Sequence, residues 1–206
     1  MKVSIDVLVV THNGGTLLEK CLDSIRSQTC PAHQIVVVMS SDVAAPEAND
    51  VQLIRTEKPS DFAPAANLGL GRLGQRPVVL LNDDTELAPT FLASLVTAYR
   101  GPGIYQPRIV RPDGTVDNTG HWIFIDGFNI ARDRGSTQQR NAGPCGAFSG
   151  AAVMFSPEVL AQVGTFDDDF GAYGEDLDLS LRAVRHGFTI HHVPEATVTH
   201  QLGATY

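Results

Sequence analysis

The first hundred residues alternate between short apolar runs and amphipathic stretches, and few architectures accept that order. Residues 3–10 run apolar into Thr11-His12-Asn13-Gly14-Gly15, the pattern of a buried strand ending in a turn. Leu17, Leu18, Cys21, Leu22 and Ile25 then recur on one helical face, and Pro31 closes the unit. Residues 35–39 form a second apolar run that ends in the polar turn Ser40-Ser41-Asp42, and residues 51–54 a short third. Residues 62–73 read as a helix carrying Ala65, Ala66, Leu68 and Leu70, with Gly69 and Gly71 weakening the pattern. Residues 77–81 make another buried strand, and Pro89 opens a helix whose Phe91, Leu92, Leu95, Val96 and Tyr99 face inward. Strand–helix alternation of this kind predicts an α/β domain with a mostly parallel sheet. Ligands bind such sheets beyond the carboxyl ends of the strands, where Asn13, Ser41 and Asp84 fall.

The second half changes character. Residues 104–110, 114–125 and 146–155 are strand-like, with Gly and Pro punctuation. Residues 126–144 are polar, lack periodicity and carry Arg132, Arg134 and Arg140, which predicts a long loop, either solvated or acting as a lid. A short helix over 157–163 follows, then a longer one over 177–186 stopped by Gly187, and strands over 188–193 and 197–200. A length of 206 residues suits one domain. A net charge of −8 argues against general nucleic-acid binding, although a divalent cation would let an acidic protein hold phosphates. Three cysteines, with no metal-ligand spacing, predict a reducing, cytoplasmic compartment. No signal peptide is visible, and no apolar run approaches the roughly 20 residues that span a bilayer, so membrane contact would be peripheral, through a surface patch.

Two carboxylate clusters fall at loop positions. In Asn82-Asp83-Asp84, strand alternation predicts that Asn82 and Asp84 share a face, where oxygen ligands suit Mg²⁺ or Mn²⁺. The same triplet also suits a turn that caps the next helix. Glu175-Asp176 stands at the start of a helix whose predicted buried stripe is Leu177, Leu181 and Val184. Capping explains a carboxylate there, and so does a general base, which needs only hydrogen-bonding reach of a hydroxyl. His200, near the chain end, reads on its own first as a structural or exposed histidine. Residues 11–15 could offer backbone N–H groups to an anion, but they match no phosphate-binding fingerprint.

Four blocks in order along nearly the whole chain carry a family resemblance. They are Val9-Val10-Thr11-His12-Asn13 with Leu22-Asp23-Ser24-Ile25-Arg26-Ser27-Gln28-Thr29; Asn67-Leu68-Gly69; Leu81-Asn82-Asp83-Asp84-Thr85; and residues 145–200, with Gly164-Thr165-Phe166-Asp167, Tyr173-Gly174-Glu175-Asp176-Leu177-Asp178-Leu179 and Val193-Pro194-Glu195-Ala196. Together they resemble a family 2 glycosyltransferase of the GT-A fold, in the rhamnosyl- and galactofuranosyltransferase branch. The resemblance implies a Rossmann-like α/β/α sandwich with a smaller acceptor-side β region. Residues 1–100 would bind the nucleotide sugar, and residues 101–206 the acceptor. It implies inverting transfer from a UDP- or dTDP-sugar to a glycan or lipid-linked glycan acceptor, in bacterial cell-surface polysaccharide or glycoconjugate synthesis, at or near the inner face of the plasma membrane. Thr11, His12, Asn13, Ser41, Asp42, Asn67 and Asp83 would bind the donor nucleotide. Asp84, His200 and Asn82 would hold Mn²⁺ or Mg²⁺, Asp176 would be the base, and Glu175 would position the acceptor.

Three departures from the family pattern stand out. Val38-Met39-Ser40-Ser41-Asp42 replaces a Val-Asp-Asn-x-Ser type motif, His12 replaces a common Tyr, and Phe155-Ser156-Pro157 replaces an Arg-rich pair. The first of these keeps open a different class, a non-catalytic sugar-nucleotide-binding module. A nucleotidyltransferase is disfavoured, because residues 11–15 contain no Lys or Arg.

Overall fold

A computed structural model describes residues 3–40, 46, 48–170 and 173–201. Its frame is one ten-stranded sheet. Strands β1 (Asp6–Thr11), β2 (Ile35–Met39), β3 (Gln52–Arg55) and β4 (Val78–Asn82) pair in parallel in the order β3-β2-β1-β4. β1 and β2 are buried along their whole length, which is why they read as unbroken apolar runs. β3, at the edge, is mostly exposed.

Helices cover both faces. On one side α1 (Gly15–Arg26) buries Leu18, Cys21, Leu22 and Ile25, and α3 (Phe91–Ala98) buries Phe91, Leu92 and Leu95, in a core shared with Val7, Val9 and Val37. On the other, α2 (Phe62–Leu70) and α5 (Glu175–Arg185) pack over Leu8, Val36 and Leu80, and α4 (Pro157–Val163) adds Val159 to the same core. The α2 helix lies so close to β1 that a Cβ on Gly69 would stand 2.3 Å from Leu8 Cδ1. The glycine that weakens the helical pattern is therefore what lets helix and sheet touch.

Beyond β4 the sheet becomes mixed. β11 (Ala152–Phe155) inserts antiparallel between β4 and β6 (Ile104–Val110). β12 (Ile190–His200) runs parallel to β6 with a register shift between Val193 and Thr197, so the two strands expected at the chain end are one. The far part of β12 also pairs antiparallel with β5 (Thr85–Leu87), matching His200 with Thr85. The expected strand over 114–125 is two, β7 (Val116–Asn118) and β8 (His121–Ile123). No helix among the described residues is long and apolar enough to cross a membrane.

Two expectations need correction. Residues 126–144 are not a structureless loop. They contain β9 (Asn129–Ala131), which pairs with β8, and β10 (Gly143–Pro144), which pairs with β12. Between them Arg132 is buried and donates to Pro144 O at 2.9 Å, and Arg140 forks onto Asp133 with two contacts of 2.6 Å. Ion pairs and a buried arginine hold this segment, and hydrophobic periodicity cannot register them.

The buried stripe of α5 is also displaced. Leu181 and Val184 are 42% and 48% exposed, while Leu179, Ser180 and Ala183 are buried. A buried serine defeats a hydrophobic pattern, yet it is satisfied here. Its hydroxyl donates to Asp176 O at 2.7 Å and accepts from Phe148 N at 3.1 Å.

Candidate active site

The carboxyl ends of β1 and β4 lie side by side, with Val10 in register with Asn82. Just past that edge, the Thr11 hydroxyl donates to Asp83 Oδ2 in a buried contact, and Gly14 N donates to Thr11 Oγ1 at 2.9 Å. Burial pushes the Asp83 carboxyl pKa up, the Thr11 hydroxyl opposes this, and the charge of Asp84 adds to it. His12 Nδ1 contacts Ser40 Oγ, tying the turn after β1 to the end of β2. Asn13 is exposed at the same turn. Ser41 and Asp42 lie outside the described residues.

Asn82 is the last residue of β4, and Asp83-Asp84 is a two-residue turn into β5. Strand alternation therefore does not relate Asn82 to Asp84. Helix capping does not explain the triplet either, because α3 starts at Phe91 with Thr90 as its N-cap. Thr85 Oγ1 closes the turn onto Asn82 O at 2.7 Å, and Gln201 N donates to Asp84 O at 3.0 Å. The β5–β12 pairing then brings His200 Nε2 to 3.1 Å from Asp84 Oδ1, both groups being largely withdrawn from solvent. The two atoms are within ion-pair range but not aligned as a hydrogen bond, so Asp84 Oδ1 is a buried acceptor with no donor among the described residues.

A cation would satisfy that orphan. Adjacent ligands on an octahedral Mg²⁺ stand about 2.9 Å apart, close to the separation seen. No group of three or more His, Cys, Asp or Glu side chains suited to a metal occurs among the described residues. One carboxylate with waters and substrate phosphates is nonetheless a sufficient set for Mg²⁺ or Mn²⁺, to which His200 would add a nitrogen ligand.

Asp176 sits in the first turn of α5, after Gly174, which adopts φ 102° as the N-cap. Its Oδ2 accepts from Gly150 N at 3.1 Å and its Oδ1 from Leu177 N at 2.8 Å. Two backbone donors fix the carboxylate, and each oxygen keeps a lone pair for a hydroxyl. Gly150 immediately precedes Ala151, whose carbonyl accepts from Asn82 N, so Asp176 is anchored beside the end of β4. Neighbouring Glu175 is buried, and its Oε2 has no partner among the described residues. Burial, and then the charge of Asp176, push its pKa up.

Asn67 is engaged elsewhere. Its amide donates to Phe166 O at 2.8 Å and to Asp168 Oδ1 at 2.7 Å, and accepts from Phe166 N at 3.0 Å. It staples α2 to the segment ahead of α5. Two residues that sequence reasoning missed also converge here. Buried Gln106 accepts from Ser149 N at 2.7 Å, bracing the residue next to Gly150. His121 places Nδ1 3.3 Å from Phe148 O and Nε2 3.0 Å from Asn118 Nδ2, a pairing that fits a neutral ring protonated at Nδ1. Burial pushes the His121 pKa down, while the charge of Asp176 pulls it up. No known motif marks either residue: Gln106 acts through Ser149, and His121 through Phe148 as well as nearby Asn118.

Relatives share sequence along nearly the whole chain, and solved structures share its fold. The chain is 24% identical over 225 residues to the O-antigen biosynthesis protein RfbC of Myxococcus xanthus, covering 98% of this chain and 17% of that protein. It is 27% identical over 229 residues to an N-acetylglucosaminyl-diphospho-decaprenol L-rhamnosyltransferase of Mycobacterium tuberculosis, covering 94% and 75%. Among solved structures, GalNAc-T7 with UDP, GalNAc and Mn²⁺ superposes with TM-score 0.77 at 17% identity, over 97% of this chain and 44% of that one. The mannosyltransferase PcManGT from Pyrobaculum calidifontis, in complex with GDP-Man and Mn²⁺, does so with TM-score 0.68 at 20% identity, over 99% and 58%. The chain thus spans less than two thirds of several of these proteins, and the fold it shares with the two solved structures is GT-A. Residues 77–204, more than half of the chain, match the profile of glycosyl transferase family group 2, and the chain belongs to that family.

Proposed function

We propose that this chain transfers a sugar from a nucleotide-diphosphate donor to an acceptor hydroxyl with inversion at the anomeric carbon. The approach of Asp84 Oδ1 and His200 Nε2, which leaves a buried carboxylate oxygen without a donor among the described residues, supports the donor side of this reading. Asp84 and His200, with Asn82 beside them, would hold Mg²⁺ or Mn²⁺ on the donor diphosphate. When bound, the cation supplies Lewis-acid neutralisation of the departing diphosphate. Thr11, His12 and Asn13 border the nucleotide at the end of β1, and Asp83, locked to Thr11, holds that turn in shape.

Asp176 takes the proton of the acceptor hydroxyl as its oxygen bonds to the anomeric carbon. The bond from that carbon to the diphosphate oxygen breaks on the opposite face, and the electron pair leaves with the diphosphate. Backbone donors from Gly150 and Leu177 orient Asp176 before the acceptor arrives, so little reorganisation is needed. UDP- and dTDP-sugars are the donors to test. A lipid-linked glycan is the acceptor class we favour, as in the name of the mycobacterial relative, and the O-antigen biosynthesis name of the myxococcal one supports a role in cell-surface polysaccharide assembly.

Calorimetric titration of UDP and dTDP, with and without Mn²⁺, tests the donor side. Metal-dependent binding should disappear in Asp84→Ala. Asp176→Asn should keep that binding while turnover falls about 10²–10⁴-fold. Metal-dependent binding without turnover of any sugar nucleotide would instead favour a non-catalytic binding module. Absence of nucleotide binding under every metal condition would overturn the donor site.

A further inference from the structure

The β8–β9 ribbon exposes one continuous apolar face. Trp122 and Ile130 stand opposite each other in register, and Phe124 and Phe128 follow two residues further on. Phe124 N donates to Phe128 O at 2.9 Å, and the two rings lie 6.4 Å apart. These four side chains are 47% to 62% exposed. The other face is turned to the protein body, where Ile123 packs closely against Gly146. Isolated exposed apolar residues need no explanation, but a row of four on one ribbon face marks a binding surface.

A polar cavity of about 500 Å³ opens at the base of the same ribbon, lined by Trp122, Arg132, Asp133, Ser136, Arg140 and Asn141. Arg132 is 3% exposed, and its Nε has no hydrogen-bond partner among the described residues. The neighbouring carboxylate, Asp133, is engaged by Arg140 and by the Thr119 hydroxyl. Both guanidiniums flank Trp122, at 4.9 and 5.8 Å from its ring centroid. A buried arginine with an idle donor calls for an anion, and planar donors suit a phosphate.

We propose that this cavity and the ribbon face together bind a lipid-linked acceptor, the arginines holding its phosphate and the ribbon its apolar chain. The inference rests on the reading of Asp176 as the acceptor-side base. Trp122 joins the two features, since it borders the cavity and heads the aromatic row. Its neighbour His121, on the opposite face, anchors the foot of the ribbon at Phe148 O, two residues before Gly150, whose N–H holds Asp176. Asp126 near the ribbon tip, which accepts from Phe128 N at 3.0 Å, argues against a tip driven into hydrocarbon, where a charge is costly. A chain laid along the ribbon face leaves that carboxylate in water.

Flotation of the full chain, without nucleotide or metal, on three sets of liposomes tests this. One set is phosphatidylcholine alone, one contains phosphatidylglycerol at matched charge, and one contains a polyprenyl diphosphate. Retention should be strongest on the third. The double variant Phe124→Ser, Phe128→Ser should weaken it roughly tenfold or more. Arg140→Gln and Arg132→Gln should abolish the preference over phosphatidylglycerol, with a cooperative thermal transition well above the assay temperature showing that each variant is folded. Equal retention on both anionic liposomes would make the ribbon a general membrane contact and overturn the proposal, as would a double variant that binds like wild type. Asp176→Asn should leave retention unchanged, so failure of the catalytic reading and failure of this one are read separately.

Discussion

Glu175 and Asp176 are adjacent in sequence but sit in opposite environments. Asp176 has two backbone donors, whereas Glu175 is buried with one oxygen unpartnered, and its pKa is raised by burial. A carboxyl raised in this way binds its proton more tightly folded than unfolded. Stability from it is therefore greatest at low pH and declines as pH rises from the ordinary glutamate value of about 4.3 through the raised one. Glu175→Gln removes the buried charge. It should stabilise the protein at neutral pH by on the order of 1 kcal/mol, and the gain should vanish below the ordinary glutamate value. Transfer activity should fall at the same time if Glu175 positions the acceptor. Urea unfolding at both pH values checks this, and a gain that persists in acid would show that charge is not its source. The sequence singles out Glu175, Asp176, Asp84 and His200 because each falls in a motif or beside an element end. Gln106 and His121 are invisible to it, because their partners are Ser149 and Phe148, known only once the chain is folded.

Elements built from apolar periodicity are legible, and those built from polar contacts are not. The runs at β1, β2 and β4 announce themselves, while residues 126–144 read as a loop although Asp133 organises them. Asp133 accepts from Arg140 and from the Thr119 hydroxyl, and the Arg140 guanidinium leads in holding its pKa down at about 2. A carboxyl depressed in this way contributes stability above its ordinary pKa, and that contribution is lost as pH falls toward about 2, so it is fully present at neutral pH. Its backbone has φ 60°, which asparagine tolerates, so Asp133→Asn removes charge without adding strain. Trypsin should cut wild type slowly after Arg132 and Arg140 even without ligand, and Asp133→Asn should be cut several times faster there. Equal rates would mean that the ion pair does not hold the segment. A lid that closes only on nucleotide would instead show cleavage suppressed by nucleotide and metal.

At the scale of the molecule, the sequence suggests a nucleotide-binding half over residues 1–100 and an acceptor half over 101–206, and the sheet interleaves them. β11 from the second half lies between β4 of the first and β6, and β12 pairs with β5. No pattern in β11 shows which strands it will separate, since antiparallel insertion depends on the edge that β4 offers after folding. The interleaving also carries His200 back across more than a hundred residues to Asp84, its partner in the proposed metal site. Neither half retains a closed core when the other is removed, so the chain should unfold as one cooperative unit. The single tryptophan, Trp122, reports from the ribbon, the part least embedded in that sheet. Its fluorescence and the far-ultraviolet circular dichroism should nonetheless give coincident urea transitions. The contacts that bracket Trp122 run through Arg132 to Pro144, and thence through β10 to β12. An earlier fluorescence transition would show that the ribbon opens on its own before the sheet does, and the acceptor surface would then be a separately folding attachment to a stable donor-binding frame.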